Sequence, residues 1–86
     1  MNLLFTPHAW DDYQFWLQGD KKILKRINEL IKDVLRSPHE GIGKPEPLRQ
    51  SLSGYWSRRI TEEHRLIYRQ VKSGILLIQL RYHYKK

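Results

Sequence analysis

Apolar and polar positions in the first part of the chain repeat with the period of an α-helix. A short apolar run over residues 3–5 precedes them and predicts an opening strand. Thr6 and Pro7 predict a helix start, because a threonine hydroxyl accepts a first-turn N–H and proline fits the first turn. Gly19 is expected to end this helix. The apolar residues that mark it are Trp10, Tyr13, Phe15, Trp16 and Leu17.

A second helix is predicted to begin after Asp20, which can cap its N-terminus, and to end at Ser37 and Pro38. Its apolar positions recur about every 3.6 residues and are Ile23, Ile27, Leu30, Ile31, Val34 and Leu35. Its predicted wet face consists of Lys21, Lys22, Lys25, Arg26, Glu29, Lys32 and Asp33. That face fits an RNA-binding stripe or an ordinary solvated surface, and the amphipathic pattern favours the solvated surface.

The pattern changes after a loop at residues 38–47 that is rich in glycine and proline. Short β-like runs follow at residues 46–50, 54–60, 64–71 and 75–83, separated by brief polar turns. Short turns join antiparallel neighbours, so these runs predict an antiparallel meander. Helices first and strands afterwards predict an α+β fold with both N-terminal helices packed on one face of an antiparallel sheet. Residues 1–86 are expected to form a single domain.

Alternation within the strands predicts which side chains face away from the helices. In the run at 54–60, Trp56 and Ile60 are predicted to face the core, and the open side receives Tyr55, Ser57 and Arg59. In the last run, the residues predicted to face the core are Leu76, Ile78, Leu80 and Tyr82. The residues predicted on its open side are Gln79, Arg81 and His83. The run at 64–71 does not alternate cleanly, and a bulge there would change the direction of Arg65.

Charge is distributed unevenly along the chain. Residues 1–43 hold six basic and six acidic side chains, whereas residues 44–86 hold ten basic and three acidic ones, so the whole excess of +7 lies in the second half. A field of one sign attracts polyanions such as RNA. The chain has no cysteine, no signal-like start and no apolar run near the roughly 18 residues of a membrane span. We therefore expect a cytoplasmic protein that does not enter a membrane.

The basic half contains side chains that could cleave RNA without a metal. RNA is cut when its 2′-oxygen attacks the adjacent phosphorus, which is helped by a proton acceptor, a proton donor and cations around the phosphoryl oxygens. His83 is a candidate donor, because histidine exchanges protons near neutral pH. Candidate phosphate ligands are Arg59, Arg65, Arg69 and Arg81. The histidines lack metal-ligand spacing, so neither a metal nor another cofactor is predicted.

The basic half offers three carboxylates as proton acceptors. Glu62 and Glu63 lie in a predicted turn and are interpreted as solvated turn residues. Glu46 lies between Pro45 and Pro47, which both restrict the backbone. That setting suits either a rigidly held base or the proline-rich start of a strand, and the residues alone leave both interpretations open.

Motifs at residues 28–33 (NELIKD), 43–48 (GKPEPL), 52–68 (LSGYWSRRITEEHRLIY) and 81–84 (RYHY) cover much of the chain. Together they resemble the YoeB family, within the RelE-like group of bacterial toxin–antitoxin ribonucleases. The resemblance implies a microbial-ribonuclease-like fold and a ribosome-dependent endonuclease that cuts mRNA in the decoding A site, with contacts to ribosomal RNA. It also implies a homodimer and neutralisation by a cognate antitoxin of the YefM type.

The resemblance further implies roles for single residues. Glu46 would be the general base and His83 the general acid, while Arg65 would stabilise the phosphorane-like transition state. Tyr84 would help to position the terminal groups. Whether Glu46 removes the 2′ proton or only orients that hydroxyl stays open.

Several basic residues are candidates for contacts with the RNA backbone. By resemblance, Arg59 and Arg49 would bind phosphate, although the family usually has lysine at position 49. Lys44 and Arg81 are added as further RNA or phosphate contacts. Two alternatives keep the same basic surface: a non-catalytic nucleic-acid-binding module, and a RelE-fold toxin that acts on a protein target.

Overall fold

The computed structural model describes residues 1–83, which form two helices and one five-stranded sheet. Strand β1 (Asn2–Phe5) is followed by helices α1 (Pro7–Leu17) and α2 (Lys21–Arg36). The later elements are strands β2 (Glu46–Pro47), β3 (Tyr55–Arg59), β4 (Arg65–Val71) and β5 (Gly74–Gln79), with a 3₁₀ helix (Gln50–Leu52) before β3. This arrangement confirms the predicted α+β fold.

The last four strands form the predicted antiparallel meander. The sheet order is β1-β5-β4-β3-β2, and the pairs β2–β3, β3–β4 and β4–β5 are antiparallel. β1 lies at the opposite edge from β2 and pairs in parallel with β5, with Asn2 opposite Gly74. Two strands are shorter than predicted. The run at 46–50 is a strand only at Glu46–Pro47, and the run at 75–83 ends as a strand at Gln79.

Both helices begin at the caps that the sequence predicts. The Thr6 hydroxyl accepts the Ala9 N–H at 3.1 Å. The Asp20 carboxylate accepts the N–H groups of Lys22 and Ile23 at 2.9 and 3.1 Å. These oxygens satisfy first-turn donors that have no partner within the helix, so the helix starts are fixed by local chemistry.

The core lies between the helices and one face of the sheet. α2 contributes Ile27, Leu30, Ile31 and Val34, as its period predicts. Asp33 is a correction, because it was predicted on the wet face of α2 and is only 6% exposed. The other buried core residues are Ala9, Trp16, Ile60, Leu66, Tyr68, Ile75, Leu77 and Leu80.

The predicted facing of the last strand is wrong for most of its residues. Ile75 and Leu77 are fully buried in the core, whereas Leu76 and Ile78 are only partly buried. Tyr82, also predicted to face the core, is 50% exposed. A run in which both faces are apolar gives no alternation from which the core side can be recognised.

A β-bulge explains why the alternation changes along β5. Ile67 pairs with Gln79, but its neighbour Tyr68 pairs with Leu77, which leaves Ile78 as an extra residue on β5. An extra residue shifts the side-chain alternation by one position. The residue after Gln79 therefore faces the core again.

Candidate active site

A cleft opens on the sheet face that the helices leave uncovered. Its volume is about 480 Å³, within the range of roughly 300–1,000 Å³ that small-ligand sites occupy. Among the described residues that line it, three are permanent cations, one is a histidine and one is a carboxylate. The lining residues are Lys44, Pro45, Glu46, Pro47, Leu48, Leu52, Ser57, Arg59, Arg65, Ile67 and His83.

Strand β2 presents Glu46 to this cleft from the edge of the sheet. Glu46 lies opposite Ser57 on β3 and is exposed. Pro45 and Pro47 fix φ and lack an N–H, which an edge strand tolerates. The carboxylate therefore begins a short strand, as one interpretation of the sequence has it, and it also lines the cleft; its role as a base stays a prediction.

Strand β3 brings Arg59 to the same cleft and ties it to the preceding loop. The Arg59 N–H donates to the Gly43 carbonyl at 2.7 Å. The next loop residue, Lys44, has a left-handed φ of 52° and also lines the cleft. The loop and the strand thus hold two cations beside the carboxylate of Glu46.

A buried arginine that the sequence analysis did not single out fastens the loop before Glu46. Arg58 is fully buried on the core side of β3. Arg58 lies two positions from both Trp56 and Ile60, which were predicted to face inward, so the same alternation could have predicted its burial. Its guanidinium donates to Asp33 Oδ2 at 2.6 Å and to three loop carbonyls at 2.6, 3.0 and 3.0 Å, those of Ser37, Glu40 and Ile42.

We call the contacts of Arg58, Asp33 and Tyr68 that hold the loop the clamp. Tyr68 contributes from β4 and Asp33 from α2. The Tyr68 hydroxyl accepts from Arg58 Nε at 3.1 Å and donates to the Pro38 carbonyl at 2.7 Å. Burial raises the pKa of the Tyr68 phenol above its ordinary value, so the group stays a donor. A side chain at Gly41 would meet Asp33 Oδ2 at 2.0 Å, and φ there is 128°, so the loop passes this close because residue 41 is glycine.

The electrostatics of Asp33 follow from its partners. The hydrogen bond from Arg58, and then the one from the Ile42 N–H, hold the pKa of the Asp33 carboxyl below its ordinary value of 3.8, against the opposing effect of burial. The folded protein therefore binds this proton less readily than the unfolded chain. The ionised Asp33 carboxylate therefore contributes its full stabilisation of the folded protein above pH 3.8. This contribution is lost as the pH falls from there through the folded-state pKa of Asp33.

We expect Asp33→Asn to change how stability depends on acid. The melting temperature of the variant should lie well below that of the wild type at neutral pH, because a buried arginine loses its counter-ion. The gap should narrow below pH 3.8, where the wild type also loses the charge. Thermal unfolding followed by circular dichroism across this pH range measures it. Asp11→Asn, at an exposed carboxylate of α1, is the control, and a gap that is constant with pH for Asp33→Asn would contradict the assignment.

Arg65 begins β4 and is held by the turn that precedes it. Its Nη1 donates to the carbonyls of Thr61, Glu62 and His64 at 2.7, 2.9 and 3.1 Å. It lies on the same face of β4 as Ile67 and lines the cleft. A guanidinium whose position is fixed before a ligand arrives can stabilise developing negative charge without rearranging.

The segment after β5 brings His83 to the same cleft. The side chain is exposed, and its Nε2 lies 3.4 Å from the Glu62 carbonyl oxygen. Because that carbonyl also accepts from Arg65, one turn supports both the imidazole and the guanidinium. Glu46, Arg65 and His83 therefore meet around one cleft, although they are distant in sequence.

Other sequence candidates lie elsewhere or outside the described residues. Arg81 is not among the described residues that line the cleft, and its guanidinium stacks on the Phe15 ring of α1, 3.7 Å from the ring centroid. Arg49 is exposed and follows Leu48, which lines the cleft, but Arg49 itself is not in the lining. Arg69 stacks on Tyr55 instead. Tyr84 lies outside the described residues.

Two further observations concern metals and membranes. Within residues 1–83, no group of three or more histidine, aspartate or glutamate side chains is arranged to hold a metal ion. None of the helices in this part of the chain is long and apolar enough to cross a membrane.

Comparisons with known proteins agree with the fold. The model of the YoeB-like toxin family of bacterial type II toxin–antitoxin systems matches residues 5–84. Toxin YoeB of Escherichia coli (strain K12) is 57% identical over 84 residues, which are 98% of this chain and 100% of that protein.

Solved structures give the same result. A YoeB/ParE toxin from Agrobacterium tumefaciens has a TM-score of 0.94 and 50% identity, covering 98% of this chain and 100% of that one. Two structures from Staphylococcus aureus are similar as well: a YoeB–YefM complex (TM-score 0.89, 47% identity) and a YoeB dimer (0.90, 48%), each match covering 98% of both chains. The family match over nearly the whole sequence, together with these shared folds, shows that the chain belongs to the YoeB-like toxins of bacterial type II toxin–antitoxin systems.

Proposed function

We propose that this toxin is a ribosome-dependent endoribonuclease that cuts mRNA in the decoding A site. The observation that carries the proposal is the meeting of Glu46, Arg65 and His83 around one cleft. A carboxylate, a fixed guanidinium and an imidazole are sufficient for RNA transesterification, because the nucleophile is the substrate's own 2′-hydroxyl.

The proposed reaction is a single displacement at phosphorus. Glu46 orients the 2′-hydroxyl and accepts its proton while the 2′-oxygen bonds to phosphorus. The bond from phosphorus to the 5′-oxygen breaks, and His83 gives a proton to that leaving oxygen. Arg65 stabilises the charge on the non-bridging oxygens. The products are a 2′,3′-cyclic phosphate on one fragment and a 5′-hydroxyl on the other.

The remaining basic residues are proposed to hold the message. Arg59 and Lys44 line the cleft beside Glu46 and would pair with the flanking phosphates. Arg49, which is exposed and follows the lining residue Leu48, would extend this contact along the RNA strand. Arg81 lies outside the cleft, so its contact with RNA would be beyond the scissile nucleotide. Tyr84 follows His83 directly and would help to position the imidazole.

Charge and relatives support the proposed partners. The excess of +7 in residues 44–86 favours contact with ribosomal RNA in addition to mRNA. Because the similar structures from Staphylococcus aureus are a YoeB–YefM complex and a YoeB dimer, we propose a YefM-like antitoxin and a homodimer for this chain. A protein that acts on translating ribosomes would work in the cytoplasm.

The chemistry of the cut ends tests the proposal. Messages incubated with the protein in a translating extract should be cut inside the A-site codon, with 2′,3′-cyclic or 3′-phosphate ends upstream and 5′-hydroxyl ends downstream. Mapping both ends by ligation before and after phosphatase and kinase treatment measures this. Fragments with 5′-phosphate ends would exclude attack by the neighbouring hydroxyl. Blocked translation with every message intact would favour a non-catalytic binder or a protein target.

A further inference from the structure

The segment that carries His83 is held by side chains after β5 ends. The Leu80 N–H donates to the buried carboxylate of Asp12 at 2.9 Å, and Trp16 Nε1 donates to the Leu80 carbonyl at 2.9 Å. Gln79 Nε2 donates to the carbonyls of Arg81 and His83 at 2.6 and 3.1 Å. Side-chain hydrogen bonds therefore hold much of this segment beyond the end of the strand.

A further contact joins this segment to the turn beneath the cleft. The Tyr82 N–H donates to His64 Nδ1 at 2.8 Å, and the Arg65 N–H donates to the Tyr82 carbonyl at 3.1 Å. Tyr82 has a left-handed φ of 59°, a conformation that is unfavourable for a non-glycine residue. Both backbone groups of Tyr82 are thus held by residues 64 and 65, in a conformation that needs such partners.

The His64 ring is fixed in the orientation that makes this bond. The side chain is buried, with Trp16 packed edge-on at 4.9 Å between ring centroids and Tyr82 at 5.1 Å. Because Nδ1 accepts a hydrogen bond, the proton of the neutral ring sits on Nε2. That atom lies 3.4 Å from the exposed carboxylate of Glu63.

We propose that His64 is a positioning residue for His83. His64 precedes Arg65 in the chain and Tyr82 precedes His83, so the bond between His64 and Tyr82 sets the distance between the phosphate-stabilising guanidinium and the proton donor. This role rests on the proposed ribonuclease function, whereas the contact itself does not. The mechanism requires a hydrogen-bond acceptor at this point and not an imidazole as such.

Two substitutions at position 64 test whether the site needs a hydrogen-bond acceptor or only a side chain of similar size. His64→Asn puts an amide oxygen close to the place of Nδ1, whereas His64→Leu fills similar space without an acceptor. In the translating extract, the leucine variant should lose about 10²-fold in kcat, the cost of a small misplacement of a catalytic group. Its KM should stay near the wild-type value because the cleft cations remain, and the asparagine variant should recover most of kcat. His39→Leu, at a histidine that stacks on Trp56, is the matched control and should cleave like the wild type.

A readout without RNA separates this proposal from the proposed function. In the free protein, the Tyr82 amide should exchange slowly with solvent in the wild type and in His64→Asn, and quickly in His64→Leu. Nitrogen NMR of the wild-type ring should show Nε2 protonated and Nδ1 unprotonated, which tests the contact even where the leucine variant does not fold. Equal Tyr82 protection in both variants, a proton on Nδ1, or asparagine no better than leucine in kcat would overturn the proposal. If the wild type did not cleave RNA although the contact between His64 and Tyr82 was present, only the proposed ribonuclease function would be refuted.

Discussion

His83→Ala is expected to slow mRNA cleavage by about 10²–10⁴-fold, the usual contribution of one positioned acid or base. The 5′-oxygen is a poor leaving group without a proton, and His83 is the residue of the cleft lining best suited to deliver it. Binding should change little, because Lys44, Arg59 and Arg65 remain. The rate of message cutting in a translating extract, at several protein concentrations, measures kcat and KM separately.

Glu46→Gln is the companion variant for the other side of the reaction. Glutamine keeps an oxygen that can orient the 2′-hydroxyl but cannot take its proton. We therefore expect a smaller loss than for His83→Ala if Glu46 mainly orients, and a larger loss would count against that role. His39→Ala, outside the cleft lining, is the control for both variants. If His83→Ala cleaved at the wild-type rate, His83 could not be the proton donor.

Arg58→Met is expected to destabilise the protein by about 3–5 kcal/mol, because it leaves the buried carboxylate of Asp33 without its main partner. It also frees the carbonyls of Ser37, Glu40 and Ile42 that the guanidinium holds. For a domain of this size each kcal/mol lowers the melting temperature by about 4–8 °C. Chemical denaturation measures this loss of stability, and we expect the m-value to be the same for the variant and the wild type.

The adjacent arginine provides a matched control. Arg59→Met changes the same atoms one position along β3, but on the exposed side, where substitutions usually cost less than about 0.5 kcal/mol. Tyr68→Phe removes one hydroxyl of the clamp, so its loss of stability should lie between those of Arg58→Met and Arg59→Met. Equal stability of Arg58→Met and Arg59→Met would mean that the buried ion pair does not hold the loop.

The sequence predicted those parts of the fold that local chemistry decides. The caps at Thr6 and Asp20 and the period of α2 depend on neighbouring residues, so the helices begin as expected. Short polar turns were sufficient for the meander. The facing of β5 could not be predicted, because the bulge at Ile78 depends on pairing with β4 and the run is apolar on both faces.

The site was predictable only in part. Glu46 and His83 were predicted because few residues in the basic half can exchange a proton. Arg65 was one of four arginines predicted to bind phosphate, and the family resemblance gave it a specific role. Arg58 was missed because an arginine in a sequence is taken as a surface residue, and its burial depends on Asp33, which is 25 positions away. His64 was missed for a related reason, since its role becomes visible only when Tyr82 folds back onto it.

The parallel pairing of β1 with β5 has a consequence for synthesis. Asn2 pairs with Gly74, so β1 cannot complete its pairing before β5 has been made. Such high contact order slows folding, since a long loop must close before the contacts form. A nascent chain that has not yet released residues 74–83 lacks β5, which is one of the two sheet neighbours of β4, and also lacks the imidazole of His83. A cleft that includes His83 can therefore form only after residues 74–83 have left the ribosome.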